Sequence, residues 1–358
     1  MLKKAMFPGK YLQGAGALQE LPALVAQFGA RGMILAAGTA SNRILPARGV
    51  DLPVERFGGE CCTSELERLA AVLAAGQVDV LVGMGGGKAI DTAKIAADRA
   101  GIPVIIVPTT ASTDAPCSGC AVLYSEQGVF ESVYYQKLNP AAVLVDTAIM
   151  AAAPPRFLVS GMGDALATWF EARSCVATQS ANACGGLSTI TGLALARLCY
   201  DTLLDYGLAA KIAAEQQIVT PALERIVEAN TLLSGIGFES GGLAAAHSIH
   251  NGLTALPETH GCYHGEKVAF GVLAGLQLTD ALPEESATVY GFCEQVGLPT
   301  TLADLGVQDC DRRRLLQVAE KACAPIESIH HEAGVMTPDK VLQALLAADA
   351  LGRHRKGL

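Results

Sequence analysis

Residues 78–91 read VDVLVGMGGGKAID and decide the fold of this chain. Apolar residues run almost without a break to Gly83, three glycines and a lysine follow, and a helical pattern begins at Ile90. A short apolar run that ends in glycines is typical of a strand buried on both faces of a sheet. The stretch therefore predicts a strand, a glycine-rich turn and a helix, as in a parallel sheet of the nucleotide-binding type.

The same alternation of strands and helices extends over the first part of the chain. Strand patterns occur at residues 33–37, 102–107 and 142–146, a hairpin pattern at 122–135, and helical patterns at 64–75 and 90–100. Ser64 is the predicted N-cap of the first helix, and Gly101 ends the second. We therefore predict an α/β nucleotide-binding domain with a parallel sheet at residues 1–152.

After Pro154 and Pro155 the pattern changes. Alanine- and leucine-rich helical stretches run from Phe157 to Ala350, with breaks at glycines and prolines that are typical of helix ends. We predict an all-α second domain at residues 153–358. The length of 358 residues also favours two domains, since a single core stops growing at roughly 250–300 residues.

Composition limits the class of protein. Hydrophobic residues make up 51% of the chain and charged residues 17%, which favours a compact enzyme. The net charge of −9, without a long basic run, argues against nucleic-acid or membrane-surface binding. No apolar stretch has the length of a membrane span or the place of a signal peptide. The eleven scattered cysteines predict reduced thiols and a cytoplasmic protein, with Cys117 and Cys120 in a tight loop.

The glycine-rich turn is a candidate phosphate-binding loop. Gly86 and Gly87 let backbone N–H groups approach a pyrophosphate at a helix N-terminus, and Lys88 can add a positive charge. The spacing matches neither a Walker A motif nor G-x-G-x-x-G, so a turn tightened for packing is the alternative. A second polar segment, residues 108–116 (PTTASTDAP), follows the third strand. It suits a ligand in the crevice of a parallel sheet, although such a run can also be a plain polar loop.

Three residues of the helical part suit a metal ion. Asp164 lies between glycines at what we predict to be a helix start, His247 follows a run of small residues, and His264 begins an apolar helix. One carboxylate and two imidazoles leave a metal ion one position open for substrate. The alternative is that each histidine is a core residue with a satisfied hydrogen bond. Clustering favours the metal, because four of seven histidines (His247, His250, His260 and His264) fall in one short stretch.

Six segments, in this order along the chain, resemble the glycerol dehydrogenases within the iron-containing (group III) alcohol dehydrogenase superfamily. They are GGGKAIDTAK at 85–94, ASTDAPCS at 111–118, GDALATWFEA at 163–172, GFESGGLAAAH at 237–247, HNGLT at 250–254 and HGEKVAFG at 264–271. The resemblance implies a dehydroquinate synthase-like architecture, oxidation of glycerol to dihydroxyacetone, and a homo-oligomer, which in this family is commonly an octamer.

The resemblance also implies roles for single residues. It implies that Asp164, His247 and His264 bind one catalytic Zn²⁺ per subunit, and that Asp114 meets the hydroxyls of the polyol substrate. We interpret His250 as a residue that contacts the metal ligands or the substrate. The NAD site implied by the resemblance comprises Gly86, Gly87, Lys88, Thr109, Ser112, Ser118, the backbone at Cys120, and Tyr124.

Two residues depart from the family pattern. Thr168 stands where the four-ligand iron enzymes carry a histidine four residues after the aspartate, which favours the three-ligand zinc form. Thr39 follows the first predicted strand, where an aspartate would accept hydrogen bonds from the adenosine ribose. We therefore expect NAD to be preferred over NADP, but by a narrower margin than in relatives that carry the aspartate. Arg43 is a cation that could attract the 2′-phosphate of NADP.

Four other functions remain open from the sequence. A dehydroquinate synthase-like lyase shares the superfamily architecture, and a dehydrogenase for another small polyol shares the site. Non-haem iron oxygenases use two histidines and one carboxylate, but they do not need a GGGK turn after a parallel strand. A non-catalytic binding module would not need an open metal position.

Overall fold

A computed structural model describes residues 1–309 and 311–358. Its strands all lie in the first part of the chain: β1 (Tyr11–Gly14), β2 (Gly32–Ala36), β3 (Val54–Arg56), β4 (Val80–Gly85), β5 (Val104–Pro108), β6 (Cys120–Tyr124), β7 (Phe130–Tyr135) and β8 (Ala142–Asp146). Six of them form a parallel sheet in the order β1-β8-β5-β4-β2-β3, and β6 pairs with β7 in an antiparallel hairpin. The predicted parallel sheet and hairpin are confirmed.

Five helices accompany the strands: α1 (Leu21–Val25), α2 (Leu45–Arg48), α3 (Thr63–Ala75), α4 (Gly87–Ala100) and α5 (Thr147–Ala152). The side chains of successive residues in a central strand point to opposite faces of the sheet and pack in different hydrophobic clusters. Ile34 packs in a cluster with Leu21 on one face of the sheet, and Leu35 packs in a cluster with Leu69 on the other. Because both faces are covered, the central strands are apolar at nearly every position.

From Pro155 onward the regular elements in the described ranges are helices: α6 (Pro155–Thr178), α7 (Ile190–Glu215), α8 (Pro221–Glu228), α9 (Ser234–Gly241), α10 (Ala245–Leu253), α11 (His264–Leu278), α12 (Pro283–Val296), α13 (Arg312–Ala322) and α14 (Pro338–Arg355). A turn of π-helix at Ala229–Leu233 joins α8 to α9, a feature often found at functional sites. The proposed division into domains at residue 152 stays a prediction.

Several predicted details were wrong. Helix α3 begins at Thr63, and its N-cap is Cys62, without a side-chain cap, rather than Ser64. Helix α4 begins at Gly87 rather than Ile90, so the glycine turn is itself the first turn of the helix. The edge strands β1 and β3 were not predicted, because each is short and only partly buried.

Two expectations from composition can be compared with the described residues. None of the helices there is both long and apolar enough to span a bilayer. The ten cysteines in those ranges are free thiols, most of them buried. Cys117 lies in the loop before β6, whereas Cys120 is the first residue of β6, and no disulfide joins them.

Candidate metal and nucleotide site

Three helices bring the predicted metal ligands together. Asp164 lies on α6, His247 on α10 and His264 at the first position of α11. Asp164 Oδ1 is 3.1 Å from His264 Nε2 and 3.4 Å from His247 Nε2. One ligand atom of each residue lies within 4.8 Å of the other two, so a single cation can contact all three.

The prediction that Asp164 begins a helix was wrong, because it lies well inside the 24-residue α6. The neighbouring glycines serve close packing. A Cβ on Gly161 would lie 1.9 Å from the carbonyl oxygen of Ala111, and one on Gly163 would lie 2.3 Å from that of Gly265. These contacts let α6 approach both the polar loop after β5 and the start of α11, which carries His264.

Glu171, which the sequence analysis missed, orients His247. Its Oε2 is 2.6 Å from His247 Nδ1, and its Oε1 accepts hydrogen bonds from the backbone N–H groups of Ala244 and His247 at 2.9 and 3.0 Å. The bond keeps a proton on Nδ1, so Nε2, the nitrogen that faces Asp164, is the one that would bind a metal ion. A carboxylate behind a histidine is the usual support of a metal-ligating imidazole.

His250 supports His264 in the same way. His250 Nε2 is 3.0 Å from His264 Nδ1, and His250 Nδ1 is 3.0 Å from Asn251 Oδ1. The Asn251 amide donates in turn to both carboxylate oxygens of Glu327, at 3.2 and 2.9 Å. A His264 Nδ1–H that donates to His250 leaves Nε2 of His264 as an acceptor. With a metal ion bound, both imidazoles would therefore offer Nε2 as the ligand atom beside the same carboxylate oxygen.

The charges of the cluster favour a cation. Burial opposes ionisation of Asp164, but His264 and His247 outweigh it and hold the pKa of this carboxyl well below its usual value. Burial also lowers the pKa of His247, but Glu171 and Asp164 outweigh this effect and raise it well above the usual value. Two buried carboxylates thus create a negative potential at the point where the imidazole nitrogens meet. The donor set, its orientation and its charge all fit a divalent metal ion.

Asp114 lies beside this cluster and is buried. Its backbone N–H donates to Asp164 Oδ2 at 3.2 Å, and its Oδ2 accepts a hydrogen bond from Ser234 Oγ at 2.9 Å. Burial and the Asp164 carboxylate raise the pKa of Asp114 well above its usual value. Thr168 Oγ1 is 2.9 Å from Ser234 Oγ, so the threonine in the place of a fourth ligand is already engaged in a hydrogen bond.

The glycine turn forms an open helix N-terminus. Gly86 is the N-cap of α4, no side chain caps the helix, and a Cβ on Gly86 or Gly87 would meet no atom within 4 Å. The helix start is therefore uncapped and has space beside its two glycines, as anion binding at a helix N-terminus requires. Lys88 Nζ is 2.6 Å from Glu60 and 4.9 Å from the centre of the Tyr124 ring, so these predicted cofactor residues lie beside the turn.

The polar loop after β5 connects the glycine turn to the metal cluster. At one end, the Thr109 N–H donates to the Gly85 carbonyl at 2.9 Å. At the other end, the Asp114 N–H donates to Asp164. Ser112 lies between them and is half-buried. The sequence analysis expected these residues in one crevice, and the structure places them along one short loop.

Two further buried residues, both missed by the sequence analysis, hold the end of that loop. The fully buried Lys94 ammonium donates to the carbonyls of Ala115 and Cys120 and to Ser118 Oγ. From the helical part, Glu239 accepts a hydrogen bond from the Gly119 N–H at 2.8 Å. These bonds fix the backbone of the segment that contains the predicted cofactor residues Ser118 and Cys120.

Thr39 is exposed just after β2, as expected for a residue near the ribose. Next to it is a cavity of about 600 Å³ at the ends of β2 and β3, lined by Ala37, Gly38, Arg56, Phe57, Gly58 and Gly59. The cation that lines this cavity is Arg56 and not Arg43, which the sequence analysis had considered. Arg56 is the last residue of β3, so its position depended on a strand that was not predicted.

Comparison with known proteins agrees with this geometry. The family described as iron-containing alcohol dehydrogenase matches residues 8–147. Glycerol dehydrogenase of Thermotoga maritima is 53% identical over 100% of both chains, and glycerol dehydrogenase of Pseudomonas putida is 50% identical over 97% of both. The crystal structure of a probable glycerol dehydrogenase from Sinorhizobium meliloti 1021 is 48% identical, covers 98% of this chain and 99% of its own, and superimposes with a TM-score of 0.93.

Proposed function

This chain belongs to the iron-containing alcohol dehydrogenase family, among the glycerol dehydrogenases, and from that premise we propose that it oxidises glycerol to dihydroxyacetone with NAD as the hydride acceptor. The observation that carries the proposal is the convergence of Asp164, His247 and His264 beside the loop that leads to the glycine turn. A lyase of the dehydroquinate synthase type is not favoured, because the relatives that are 53% and 50% identical in sequence are glycerol dehydrogenases.

Asp164, His247 and His264 would hold one Zn²⁺ per subunit. Three protein ligands suit a catalytic zinc site, and the Thr168 hydroxyl is already bonded to Ser234. When bound, zinc supplies a Lewis acid that lowers the pKa of a coordinated hydroxyl. Glu171 and His250 keep the two imidazoles in the tautomer that offers Nε2.

Asp114 gives the site its preference for polyols. Its Oδ2 is occupied by Ser234, and Oδ1 is the oxygen through which this side chain would accept hydrogen bonds from substrate hydroxyls. The fixed backbone bond to Asp164 holds it next to the proposed zinc ligands. A hydroxyl group on the carbon next to the reacting carbon would therefore contact Asp114. A simple alcohol has no such hydroxyl group and cannot make this contact. The substrate class that fits is small vicinal diols and glycerol.

The nucleotide would lie along the carboxyl ends of the strands. The uncapped N-terminus of α4 at Gly86 and Gly87 suits the pyrophosphate, and Lys88 can leave Glu60 to add a positive charge. NAD supplies the hydride acceptor, and the protein supplies its orientation. The other residues proposed to line the cofactor are Thr109, Ser112, Ser118, Cys120 and Tyr124. We also propose that the protein is cytoplasmic and homo-oligomeric, with the nucleotide domain ending near residue 152.

A substrate panel tests this function. Purified protein is assayed with glycerol, 1,2-propanediol and 2-propanol, each with NAD and with NADP, by the absorbance of the reduced cofactor. We expect the highest kcat/KM with glycerol or the diol and NAD. Equal turnover of 2-propanol would contradict the role of Asp114. No reduction of either cofactor by any of the three alcohols in a zinc-loaded sample would contradict the proposed activity.

A further inference from the structure

A chain of hydrogen bonds runs from the predicted metal ligand His264 to the carboxylate of Glu327. His264 Nδ1 lies 3.0 Å from His250 Nε2, and His250 Nδ1 lies 3.0 Å from Asn251 Oδ1. The Asn251 Nδ2 group lies 2.9 and 3.2 Å from the two carboxylate oxygens of Glu327. Two imidazoles and one amide, which can each reverse their donor and acceptor atoms, thus end on a group that cannot.

Glu327 fixes the direction of this chain, because an ionised carboxylate accepts hydrogen bonds and donates none. The part of Asn251 that faces Glu327 must therefore be its NH₂ group, which leaves the amide oxygen facing His250. Because that oxygen accepts, a neutral His250 carries its proton on Nδ1 and accepts through Nε2. His264 must then donate its Nδ1–H to His250, so Nε2 of His264 is the nitrogen that would bind a metal ion.

His250 is a neutral link in this chain. Burial lowers its pKa well below the usual value, and the charges of His264 and Lys267 act in the same direction. A divalent cation on His264 would also disfavour a second positive charge at this ring. A neutral ring has one N–H group, so His250 can donate to Asn251 or to His264 but not to both. Whatever decides the place of this proton therefore decides the tautomer of both rings.

The segment that contains Glu327 is fixed against α10. Glu327 is the N-cap of a short 3-10 turn. In this turn, Ser328 Oγ donates to the Ala244 carbonyl at 2.8 Å, and the Ile329 N–H donates to Ser248 Oγ at 2.8 Å. These bonds hold the half-buried carboxylate at the outer end of the chain of hydrogen bonds.

We propose that Glu327 is a positioning residue that sets the tautomer of His264 through the three successive hydrogen bonds between them. Glu171 supports the other imidazole ligand directly, whereas Glu327 acts through two intermediate side chains. This role rests on the proposed function, because the ion that His264 would bind is the proposed catalytic zinc. The direction of the chain can nevertheless be measured without metal.

Substitutions at position 327 should change the direction of the chain in a defined order. Glu327→Lys replaces an acceptor by a donor, so the Asn251 oxygen should turn to the ammonium group and the NH₂ group to His250. The His250 proton then lies on Nε2 and is donated to His264 Nδ1, which leaves the His264 proton on Nε2. Glu327→Gln can donate or accept, so both directions should be populated.

Solid-state NMR reads the position of the His250 proton. Full-length protein with carbon- and nitrogen-labelled histidine is stripped with a chelator and sedimented. Protonated and unprotonated ring nitrogens give separate signals, and correlations to the ring carbons identify each nitrogen. The His250 signals are those that are lost in His250→Phe. We expect the proton on Nδ1 in the unsubstituted protein, on Nε2 in Glu327→Lys, and in two populations in Glu327→Gln.

Zinc affinity provides a second measurement with a matched charge control. Zinc binds only the arrangement that leaves His264 Nε2 without a proton, so an equal mixture in Glu327→Gln should lower the affinity about twofold. Glu327→Lys should lower it by about tenfold or more, as is typical of changes behind a ligating histidine. Glu258→Lys makes the same charge change at an exposed residue that pairs with Arg314, and it should leave the affinity and the His250 proton unchanged.

A rescue variant separates hydrogen-bond direction from charge and folding. Adding Asn251→Asp to Glu327→Lys should return the His250 proton to Nδ1, because a carboxylate at position 251 accepts from both the lysine and the imidazole. The proposal is overturned if the His250 proton lies on the same nitrogen in Glu327→Lys as in the unsubstituted protein. It is also overturned if Glu327→Lys and Glu258→Lys bind zinc equally well. Absence of zinc binding by the unsubstituted protein would instead contradict the proposed function, and the NMR spectra would still decide the direction of the chain.

Discussion

Replacing Glu171 by glutamine should weaken metal binding without touching a metal ligand. The carboxylate keeps two backbone N–H bonds on Oε1 and the His247 Nδ1–H bond on Oε2. Glutamine has one acceptor oxygen, so if it keeps the backbone bonds, its NH₂ group faces the His247 Nδ1–H. The neutral imidazole of His247 is then more stable with its proton on Nε2, which is the nitrogen that would bind the metal.

The magnitude follows from the bond that is lost. A hydrogen bond to a charged group contributes about 1.5–3 kcal/mol, and 1.4 kcal/mol corresponds to about a factor of ten in affinity. We therefore expect zinc to bind Glu171→Gln about 10–100 times more weakly than the unsubstituted protein, as is typical of changes behind a ligating histidine. The dissociation constant is measured by competition with a chromophoric chelator.

Glu332→Gln is the matched control. Glu332 is also buried, and it accepts hydrogen bonds from the Ala245 N–H at 3.1 Å and Ser174 Oγ at 2.6 Å, but none from a histidine. Its replacement should lower the thermal stability while leaving zinc affinity unchanged. The reasoning is refuted if the two variants bind zinc equally well, or if both lose affinity to the same extent.

Three further predictions concern the substrate, the cofactor and the stability. Asp114→Ala should raise KM for glycerol by about tenfold or more but leave 2-propanol nearly unaffected, and an equal loss for both would make Asp114 structural. Thr39→Asp should increase the ratio of kcat/KM for NAD to that for NADP by about tenfold or more. Arg56→Ala should lower kcat/KM for NADP and leave that for NAD unchanged. If neither variant changes the ratio, the adenosine ribose does not bind beside Thr39 and Arg56. Burial raises the pKa of Asp91 to about 6, so stability is lost as pH rises through about 4–6. About 1.4 kcal/mol of this loss falls between pH 5 and pH 8, so Asp91→Asn should remove up to that amount from the difference in unfolding free energy between urea titrations at these two pH values, and an unaltered pH dependence counts against it.

The central strands could be predicted from the sequence because their burial is complete. In β4 every residue is buried, so the apolar run in residues 78–83 carries the signal without knowledge of the partners. The edge strand β3 has three residues and exposes two of them, which leaves no apolar pattern to detect. Arg56 at its end was therefore missed as a residue that lines the cavity beside Thr39.

The position of Asp164 shows where local patterns mislead. Glycines weaken helices, and Gly161 and Gly163 were therefore interpreted as a boundary. These glycines instead allow close tertiary packing, because backbone atoms of Ala111 and Gly265 lie where a Cβ would be. Nothing in the local sequence reports which backbone approaches a helix. That Asp164, His247 and His264 form one cluster could nevertheless be predicted, since their residue types and their resemblance to a family do not depend on helix boundaries.

The supporting residues of the site were harder to predict. Glu171 bonds His247, 76 positions away in the sequence, and Glu239 bonds Gly119, 120 positions away. Glu171 did leave a signal, because it follows Asp164 by two helical turns and so shares its face of α6. Lys94 left none, since a lysine in a helix usually points to solvent and this one is fully buried.

The central claim is that glycerol oxidation requires one bound zinc ion per chain. It is tested most directly by measuring the metal content and the turnover together. Protein stripped with a chelator is titrated with Zn²⁺ while bound zinc and NAD-dependent glycerol oxidation are measured in the same samples. The account predicts no turnover without metal and a linear return of activity that saturates at one zinc per chain. Asp164→Asn, His247→Ala and His264→Ala should each stay inactive while still binding NAD. Full glycerol oxidation in the metal-free protein would contradict the account.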